Sequence, residues 1–177
     1  MLYYKKISSP LGEITLRSDG QFLTGLWFAN DKHYGDKDIQ DAQTAELPVF
    51  ALAEKWLAEY FAGCKPKVKV PLQFTGSDFQ ESVWKILQNI PYGCLVTYGD
   101  IACEIAAQRG LARMSAQAVG GAVGRNPLCI IIPCHRVIGA DGSLTGYGGG
   151  MWRKVRLLEL EKADMSKLTV PTKGTAL

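Results

Sequence analysis

The sequence lacks the features of a membrane protein, of a disulfide framework and of a zinc site. No apolar run approaches about 18 residues, so we expect no transmembrane helix and no membrane partner. The segment from Met1 to Lys6 has no apolar signal-peptide core, which favours a cytoplasmic, reducing location. The five cysteines are odd in number, no two are spaced Cys-x-x-Cys, and there are only two histidines. We therefore expect thiols rather than disulfides, and no bound metal.

Charge is spread unevenly along the 177 residues, although the net charge is only +3. Residues 1–75 hold nine basic and nine acidic side chains, whereas residues 109–156 hold seven basic side chains and one acid, Asp141. Six of those seven are arginines, the residue best suited to phosphates and base edges. The basic block favours an anionic partner, nucleic acid first, and the alternative is a solvated basic face.

Residues 1–75 predict a small N-terminal α/β domain. Strand-like patterns separated by turn residues cover three segments, namely 2–9, 13–18 and 22–28. They predict a three-stranded antiparallel meander. Residues 29–46 are polar and acidic and predict a loop. Apolar residues at helical spacing over 47–63 predict a helix that covers the sheet.

Residues 76–165 predict a mainly helical C-terminal domain, and residues 166–177 predict a frayed tail. Helical patterns follow the capping residues Ser77, Thr97 and Ser115, and a last helix begins near Met151. Two short helices joined by a glycine-containing turn form a helix-turn-helix pattern, which alone is a weak indication of DNA binding. Residues 116–124 are small almost throughout, so this helix either packs closely on another helix or lies on a polymer backbone.

The segment 130–139 holds the most reactive combination of side chains. Three isoleucines predict a short buried strand, which Pro133 ends because it has no N–H to donate. Cys134, His135 and Arg136 follow directly. A thiol beside potentially cationic groups suits a thiolate nucleophile, and the alternative is an inert buried cysteine.

A nucleophilic thiol needs a base and a group that orients the base. Side chains adjacent in sequence rarely bond each other, so a water would bridge Cys134 and His135. Either Glu159 or Glu161 of the last helix could orient the imidazole, which gives a triad with one water inserted. Arg136 has two open roles: contact with the substrate, or pairing with a carboxylate or helix end.

The segment Pro133-Cys134-His135-Arg136-Val137 resembles the alkyl-acceptor motif of the O6-alkylguanine-DNA alkyltransferases (methylated-DNA–protein-cysteine S-methyltransferases). The resemblance covers about half the chain in family order, through Phe-x-x-x-Val-Trp from Phe79, Thr97 to Ala102, Ala118 to Ala122, Asn126-Pro127, Gly146 to Gly150, and Leu157 to Glu161. The N-terminal domain resembles the family more loosely. The implied fold is α+β, with the sheet and covering helix followed by a helical domain that contains the helix-turn-helix and the acceptor segment.

The resemblance implies a direct-reversal DNA repair enzyme. It would flip out O6-methylguanine, with O4-methylthymine as a further candidate, and transfer the alkyl group irreversibly to its own cysteine, once per molecule. It would bind double-stranded DNA through the minor groove as a monomer, without a cofactor. Two alternatives are a lesion-binding module that performs no repair, which the presence of Cys134 disfavours, and a thiol hydrolase, which leaves the helix-turn-helix unexplained.

Matching motif positions imply a role for each site residue. Cys134 is the acceptor, His135 the water-mediated base, and Glu161 rather than Glu159 orients the histidine. Tyr98 donates to guanine N3, and Asn126 bonds main chain around the acceptor. The pocket for the flipped base involves Val137, Tyr147, Gly148, Gln117 and Arg136. The DNA interface comprises Arg113, Ser115, Ala116, Gln117, Ala118, Gly120, Gly121 and Arg125.

The sequence departs from the family pattern at Gln117. Many members carry an arginine there that fills the gap left by the flipped base. A glutamine can fill space and donate hydrogen bonds but adds no charge. Arg113 or Arg125 could compensate. The zinc ligands of some relatives are not evident in this sequence.

Overall fold

The structure, a computed structural model, describes residues 1–171 and divides the chain into two compact units. The first unit comprises Met1–Phe74 together with Pro127–Cys129. The second unit comprises Thr75–Asn126 and the remainder of the described chain from Ile130. Within residues 1–171, no helix is both long enough and apolar enough to cross a membrane.

The first unit is a sheet with one helix. Strands β1 (Tyr3–Ser9), β2 (Gly12–Ser18) and β3 (Leu23–Phe28) form the predicted antiparallel meander. A fourth strand, β4 (Gln43–Thr44), pairs in parallel with β1, so the prediction of three strands was one short. Two residues are too few to show strand periodicity, which is why the sequence predicted a loop there. Helix α1 (Pro48–Phe61) buries apolar side chains at the predicted spacing.

The second unit is mainly helical, as predicted. Its elements are α2 (Asp78–Gln88), β5 (Val96–Thr97), α3 (Tyr98–Gln108), α4 (Ala116–Gly124), β6 (Val137–Ile138) and α5 (Met151–Leu160). Strands β5 and β6 pair in parallel. Ser77, Thr97 and Ser115 each accept a hydrogen bond from a main-chain N–H in the first helical turn, so the caps lie where the sequence predicts them. The α+β fold class is thus confirmed.

The small residues of α4 have two uses. Val119, Ala122 and Val123 are buried, and the Trp84 indole of α2 donates to the Ala122 carbonyl at 2.9 Å. The other side of the helix, which includes Gln117 and Gly121, is exposed. Close packing on a neighbouring helix therefore accounts for one face of α4 and leaves the second face of small residues uncovered in the described chain.

The isoleucines at 130–132 do not form the predicted strand. They lie in a turn between Pro127 and Pro133, and Ile130 has a φ of +68°, a left-handed conformation that β-branched residues rarely adopt. The left-handed backbone at Ile130 interrupts the extended conformation that a strand needs. The predicted burial is right, since Ile130 and Ile132 are fully buried. The strand prediction failed because β-branched apolar residues signal burial as strongly as they signal a strand.

The tail is less frayed than its composition predicts. Leu168 of the tail, and Met165 just before it, pack against the buried cluster of Leu144, Met151 and Leu158. The Leu144 N–H donates to the Thr169 carbonyl at 2.9 Å. The sequence around Thr169 is mostly polar, so it gave no sign of this hydrogen bond to Leu144. The rest of the predicted tail, residues 172–177, lies outside the described residues.

Candidate active site

Cys134 opens a single 3-10 turn, Cys134–Arg136, and is only 6% exposed. The main chain just before the thiol is fixed by Asn126, whose side-chain amide donates to the Ile132 carbonyl at 2.7 Å. The same carbonyl accepts the Cys134 N–H at 2.8 Å. Asn126 thus lies where its expected role requires, bonded to main chain beside the thiol.

The two residues that follow Cys134 form a buried ionic cluster with Glu161. His135 Nε2 lies 2.6 Å from Glu161 Oε1, and neither side chain is exposed. Arg136 donates through Nε to Oε2 at 2.8 Å and through Nη2 to Oε1 at 2.9 Å. The Gly93 N–H donates to Oε2 at 3.0 Å. Four hydrogen bonds thus satisfy the carboxylate, which compensates for its removal from water.

Glu161 rather than Glu159 contacts the histidine. Glu161 caps the C-terminal end of α5 and is 3% exposed. Glu159 lies on the outer side of α5, where it pairs with the exposed Arg156 at 3.0 Å. The residue pattern alone did not decide which glutamate contacts His135, because both lie within a few residues of Leu157 and Leu158 in the apolar stripe of the helix.

The cluster holds His135 neutral and Glu161 charged. Burial lowers the pKa of His135, and the bond to Glu161 only partly opposes that effect. Burial acts to raise the pKa of Glu161, but hydrogen bonds from His135 and Arg136 hold it well below its usual range. Because a carboxylate only accepts, Nε2 carries the imidazole proton. Nδ1 is then the basic nitrogen.

Arg136 pairs with the carboxylate of Glu161. The residue is 7% exposed. Its guanidinium binds Glu161 with two nitrogens and donates through Nη1 to the Ile90 carbonyl at 2.6 Å. It also lies 5.7 Å from the centroid of the Tyr92 ring. These partners favour the pairing role, and a contact of Arg136 with the substrate stays a prediction.

Lys154 is a site residue that sequence reasoning missed. It is fully buried, and Nζ donates to the Val137 carbonyl at 2.6 Å and to the Thr145 carbonyl at 3.0 Å. Burial lowers the pKa of Lys154 to about 8, and proximity to Cys134 acts in the opposite direction. The available signal was its position on the buried stripe of α5, three residues after Met151 and three before Leu157.

Tyr98 joins this network from the first residue of α3. Its hydroxyl donates to the Thr145 carbonyl at 3.0 Å, the same oxygen that Lys154 contacts. Burial raises the pKa of the Tyr98 phenol, so the hydroxyl stays protonated and remains a donor. Its ring lies against α4, since a Cβ at Gly120 would be 3.8 Å from it. Tyr98 thus lies beside both the exposed α4 and the loop at residues 145–150.

The loop at residues 145–150 begins at Thr145, whose carbonyl accepts hydrogen bonds from Lys154 and Tyr98. Tyr147 is 9% exposed and Gly148 is half buried. Gly146 and Gly150 have φ of +52° and +95°, so side chains there would strain the loop. Val137 is fully buried, and its carbonyl is held by Lys154. The Lys154 ammonium therefore binds both the Val137 carbonyl and the first residue of this loop, Thr145.

The residues predicted to contact DNA lie on the surface of the helix-turn-helix. All are exposed except Gly120, which is partly exposed, and the set is Arg113, Ser115, Ala116, Gln117, Ala118, Gly120, Gly121 and Arg125. Ser115 already uses its hydroxyl to cap α4, accepting from the Ala118 N–H at 3.2 Å. Across residues 1–171, no three His, Cys, Asp or Glu side chains are grouped closely enough to hold a metal ion.

Two family models together match most of the chain. The one described as 6-O-methylguanine DNA methyltransferase, ribonuclease-like domain, matches residues 2–74. The one described as 6-O-methylguanine DNA methyltransferase, DNA binding domain, matches residues 78–163. Both named domains are therefore matched in this chain, in that order.

Individual relatives match over nearly their full length. The methylated-DNA–protein-cysteine methyltransferase of Mycobacterium tuberculosis is 45% identical over 163 residues, which cover 92% of this chain and 94% of that protein. The constitutive enzyme of that name from Bacillus subtilis is 37% identical over 164 residues, 92% of this chain and 96% of that protein. The crystal structure of Mycobacterium tuberculosis OGT in complex with DNA has a TM-score of 0.79 and 43% identity, covering 93% of this chain and 98% of that one.

Proposed function

The chain belongs to the methylated-DNA–protein-cysteine methyltransferases, DNA repair enzymes that move an alkyl group to a cysteine, and we propose that its acceptor is Cys134. One observation carries this assignment. Directly after Cys134 comes a buried imidazole that is held by a fully hydrogen-bonded carboxylate, with Asn126 fixing the main chain before the thiol. A basic group placed and oriented in this way is what a thiol needs to become a nucleophile.

The reaction proceeds by displacement at the alkyl carbon. His135 Nδ1 removes the thiol proton through a bridging water, and the thiolate attacks the methyl carbon of O6-methylguanine. The new S–C bond forms as the C–O6 bond breaks, and its electron pair stays with the guanine. The product S-methylcysteine is a thioether with no thiol left, so each molecule reacts once.

Arg136 helps to keep His135 neutral, which is the form that can accept the thiol proton. An unbalanced carboxylate beside His135 would favour the imidazolium, which cannot accept a proton. The guanidinium balances the charge of Glu161 through two hydrogen bonds, and burial lowers the pKa of His135. The neutral imidazole therefore remains the resting form until the thiol proton arrives.

Tyr98 and Lys154 serve the leaving group. As guanine gains negative charge, the Tyr98 hydroxyl turns from the Thr145 carbonyl to guanine N3 and donates to it. That carbonyl keeps the Lys154 ammonium as its donor, so the turn leaves no main-chain oxygen unsatisfied. Val137, Tyr147 and Gly148 border the base pocket, and Lys154 holds the carbonyl groups of Val137 and Thr145 in place.

Double-stranded DNA is the proposed partner, bound by a monomer through the minor groove with the damaged base flipped out. The small exposed residues of α4 allow a backbone to approach closely, and the basic block from residue 109 to residue 156 supplies positive charge. The DNA complex of Mycobacterium tuberculosis OGT supports the same partner. A cytoplasmic, reducing location suits an acceptor that must remain a thiol.

The test is the stoichiometry of transfer from duplex DNA that carries O6-methylguanine with a labelled methyl group. We expect uptake to stop at one methyl per protein molecule, with excess substrate remaining. Tight lesion binding without uptake would favour a binding module instead. Continued turnover of ester or peptide substrates without DNA would favour a thiol hydrolase. O4-methylthymine in the same duplex tests the second candidate substrate.

Gln117 is the position for a specificity test, because it is exposed on α4 and carries no charge. We expect Gln117→Arg to speed repair of duplex lesions severalfold, since an arginine fills the vacated stack and neutralises phosphate. Transfer from O6-benzylguanine as an isolated base should change little, because no base is flipped. The matched control is Gln108→Arg, which adds the same charge at an exposed position on α3. Equal changes with both substrates would show that Gln117 plays no part in flipping.

A further inference from the structure

Helix α5 exposes a face that the transfer reaction does not use. Trp152 is 55% exposed, whereas Trp27 and Trp84 are each only 2% exposed. Arg156 lies one turn further along the same face, and Arg153 is adjacent. A single exposed apolar residue is ordinary, but an indole grouped with two guanidinium groups has the composition of a nucleic-acid contact.

The aromatic ring and its arginine are held in a fixed arrangement. The Arg153 guanidinium lies 4.7 Å from the centroid of the Trp152 ring. Its Nη1 donates to the Gly149 carbonyl at 2.6 Å. A Cβ at Gly150 would lie 3.5 Å from the indole, so the ring rests against the end of the glycine-rich loop. Little side-chain freedom is left to be lost when a ligand binds.

The charge around Trp152 also calls for an anionic partner. The first turn of α5 contains the partly exposed Arg153 and no acidic residue, and Lys154 is buried on the other side of the helix. Cations are unfavourable at this end of a helix, because the helix dipole is positive there. Arg156 pairs with Glu159, and both of these side chains are largely exposed, so a phosphate can compete for the guanidinium.

The position of this face relates it to the base pocket. The loop that borders the proposed pocket begins at Thr145, beside Tyr98 and Lys154, and ends at Gly150, beneath the Trp152 ring. The ring therefore lies at the far end of the same loop that borders the proposed base pocket.

We propose that Trp152, with Arg153 and Arg156, is a stacking platform for an unpaired nucleotide of single-stranded DNA. The inference rests on the proposed function for its choice of DNA as the ligand. A base stacks on the exposed indole face, and the two arginines hold the neighbouring phosphates. The consequence is a direct affinity for single-stranded DNA, in addition to the binding of duplex DNA through α4.

The test measures the binding of unmodified oligothymidylate of about 12 nucleotides, a length within known single-strand site sizes. We expect Trp152→Ala to weaken its binding about tenfold, and Trp152→Phe to weaken it far less, because the phenyl ring still stacks. Arg156→Ala should reduce the slope of log affinity against log salt by about 1.

Wild-type tryptophan emission should be quenched on saturation, since Trp152 is the most exposed of the four indoles. Leu52→Ala is the control, because it shortens an exposed apolar side chain in the first unit and should have no effect.

Equal affinity of the wild-type protein and Trp152→Ala would overturn the proposal, and so would unchanged emission on saturation. Loss of binding by Trp152→Phe as large as that by Trp152→Ala would also overturn it, whatever the effect of the alanine on folding. The probe carries no lesion, so the result is independent of alkyl transfer. Methyl uptake by the wild-type protein without any Trp152 effect rejects the platform alone, and absent uptake rejects the proposed acceptor chemistry alone.

Discussion

Cys134→Ala is expected to abolish alkyl transfer while binding to the lesion-bearing duplex persists. The substitution removes the proposed nucleophile and leaves the exposed face of α4 intact. The free energy of unfolding should fall by about 1 kcal/mol, as for a typical small change at a buried position. Transfer is measured as labelled methyl in the protein, and binding by anisotropy of the labelled duplex.

Cys94→Ala is the matched control for this variant. Cys94 is an exposed thiol in the same unit, so its removal should leave transfer at the wild-type level. Methyl uptake that survives in Cys134→Ala and disappears in Cys94→Ala would move the acceptor to Cys94 and remove the basis of the proposed mechanism.

Glu161→Gln is expected to lower the free energy of unfolding by about 3–5 kcal/mol, the cost of breaking a buried ion pair. The amide keeps the size of the side chain but leaves Arg136 with an unbalanced buried charge. Its NH2 group also replaces one of the two accepting oxygens with a donor, which disrupts the hydrogen bonds that orient His135, so alkyl transfer should slow at least tenfold, in line with the loss of a positioned base. Denaturant unfolding and single-turnover transfer kinetics measure the two effects.

Glu159→Gln provides the comparison two residues away on the same helix. Its ion pair with Arg156 is exposed, so the substitution should change stability by less than about 1 kcal/mol and leave transfer unchanged. Similar destabilisation by both variants would contradict the central place given to Glu161.

The stability difference between the wild-type protein and Glu161→Gln should also depend on pH. The folded state holds the pKa of Glu161 below the unfolded value of about 4.3. The unfolded chain therefore binds a proton first as the pH falls, and the stabilisation is complete above that value. The difference should shrink as the pH is lowered below about 4, and a difference that grew in acid would refute the assigned direction.

Local signals in the sequence predicted the helices well. Ser77 and Thr97 cap their helices through hydrogen bonds to residues three positions later. In α1 and α2, the buried side chains recur at helical spacing along one face, and this spacing is visible in the sequence. Such features depend on near neighbours, so a pattern in the chain is sufficient to find them.

Features that depend on distant partners were missed or left open. Whether Arg136 meets a substrate or a carboxylate depends on Glu161, 25 residues later. The isoleucines at 130–132 found no partner strand, and β4 formed because the chain after the loop returns to β1. Lys154 was overlooked because lysine side chains are almost always exposed, even when they interrupt an apolar stripe. Here two carbonyl groups that are distant in sequence accept hydrogen bonds from the buried ammonium.

The proposed chemistry depends on the identity of the modified atom, so peptide mapping after repair is the most direct measurement. The wild-type protein is incubated with excess duplex that carries O6-methylguanine, and its intact mass and proteolytic peptides are then compared with those of untreated protein. The account predicts one added methyl group per molecule, confined to the peptide that contains Cys134, with no further gain on a second addition of substrate. A methyl group on any other residue, or full binding of the lesion without a mass increase, would contradict it.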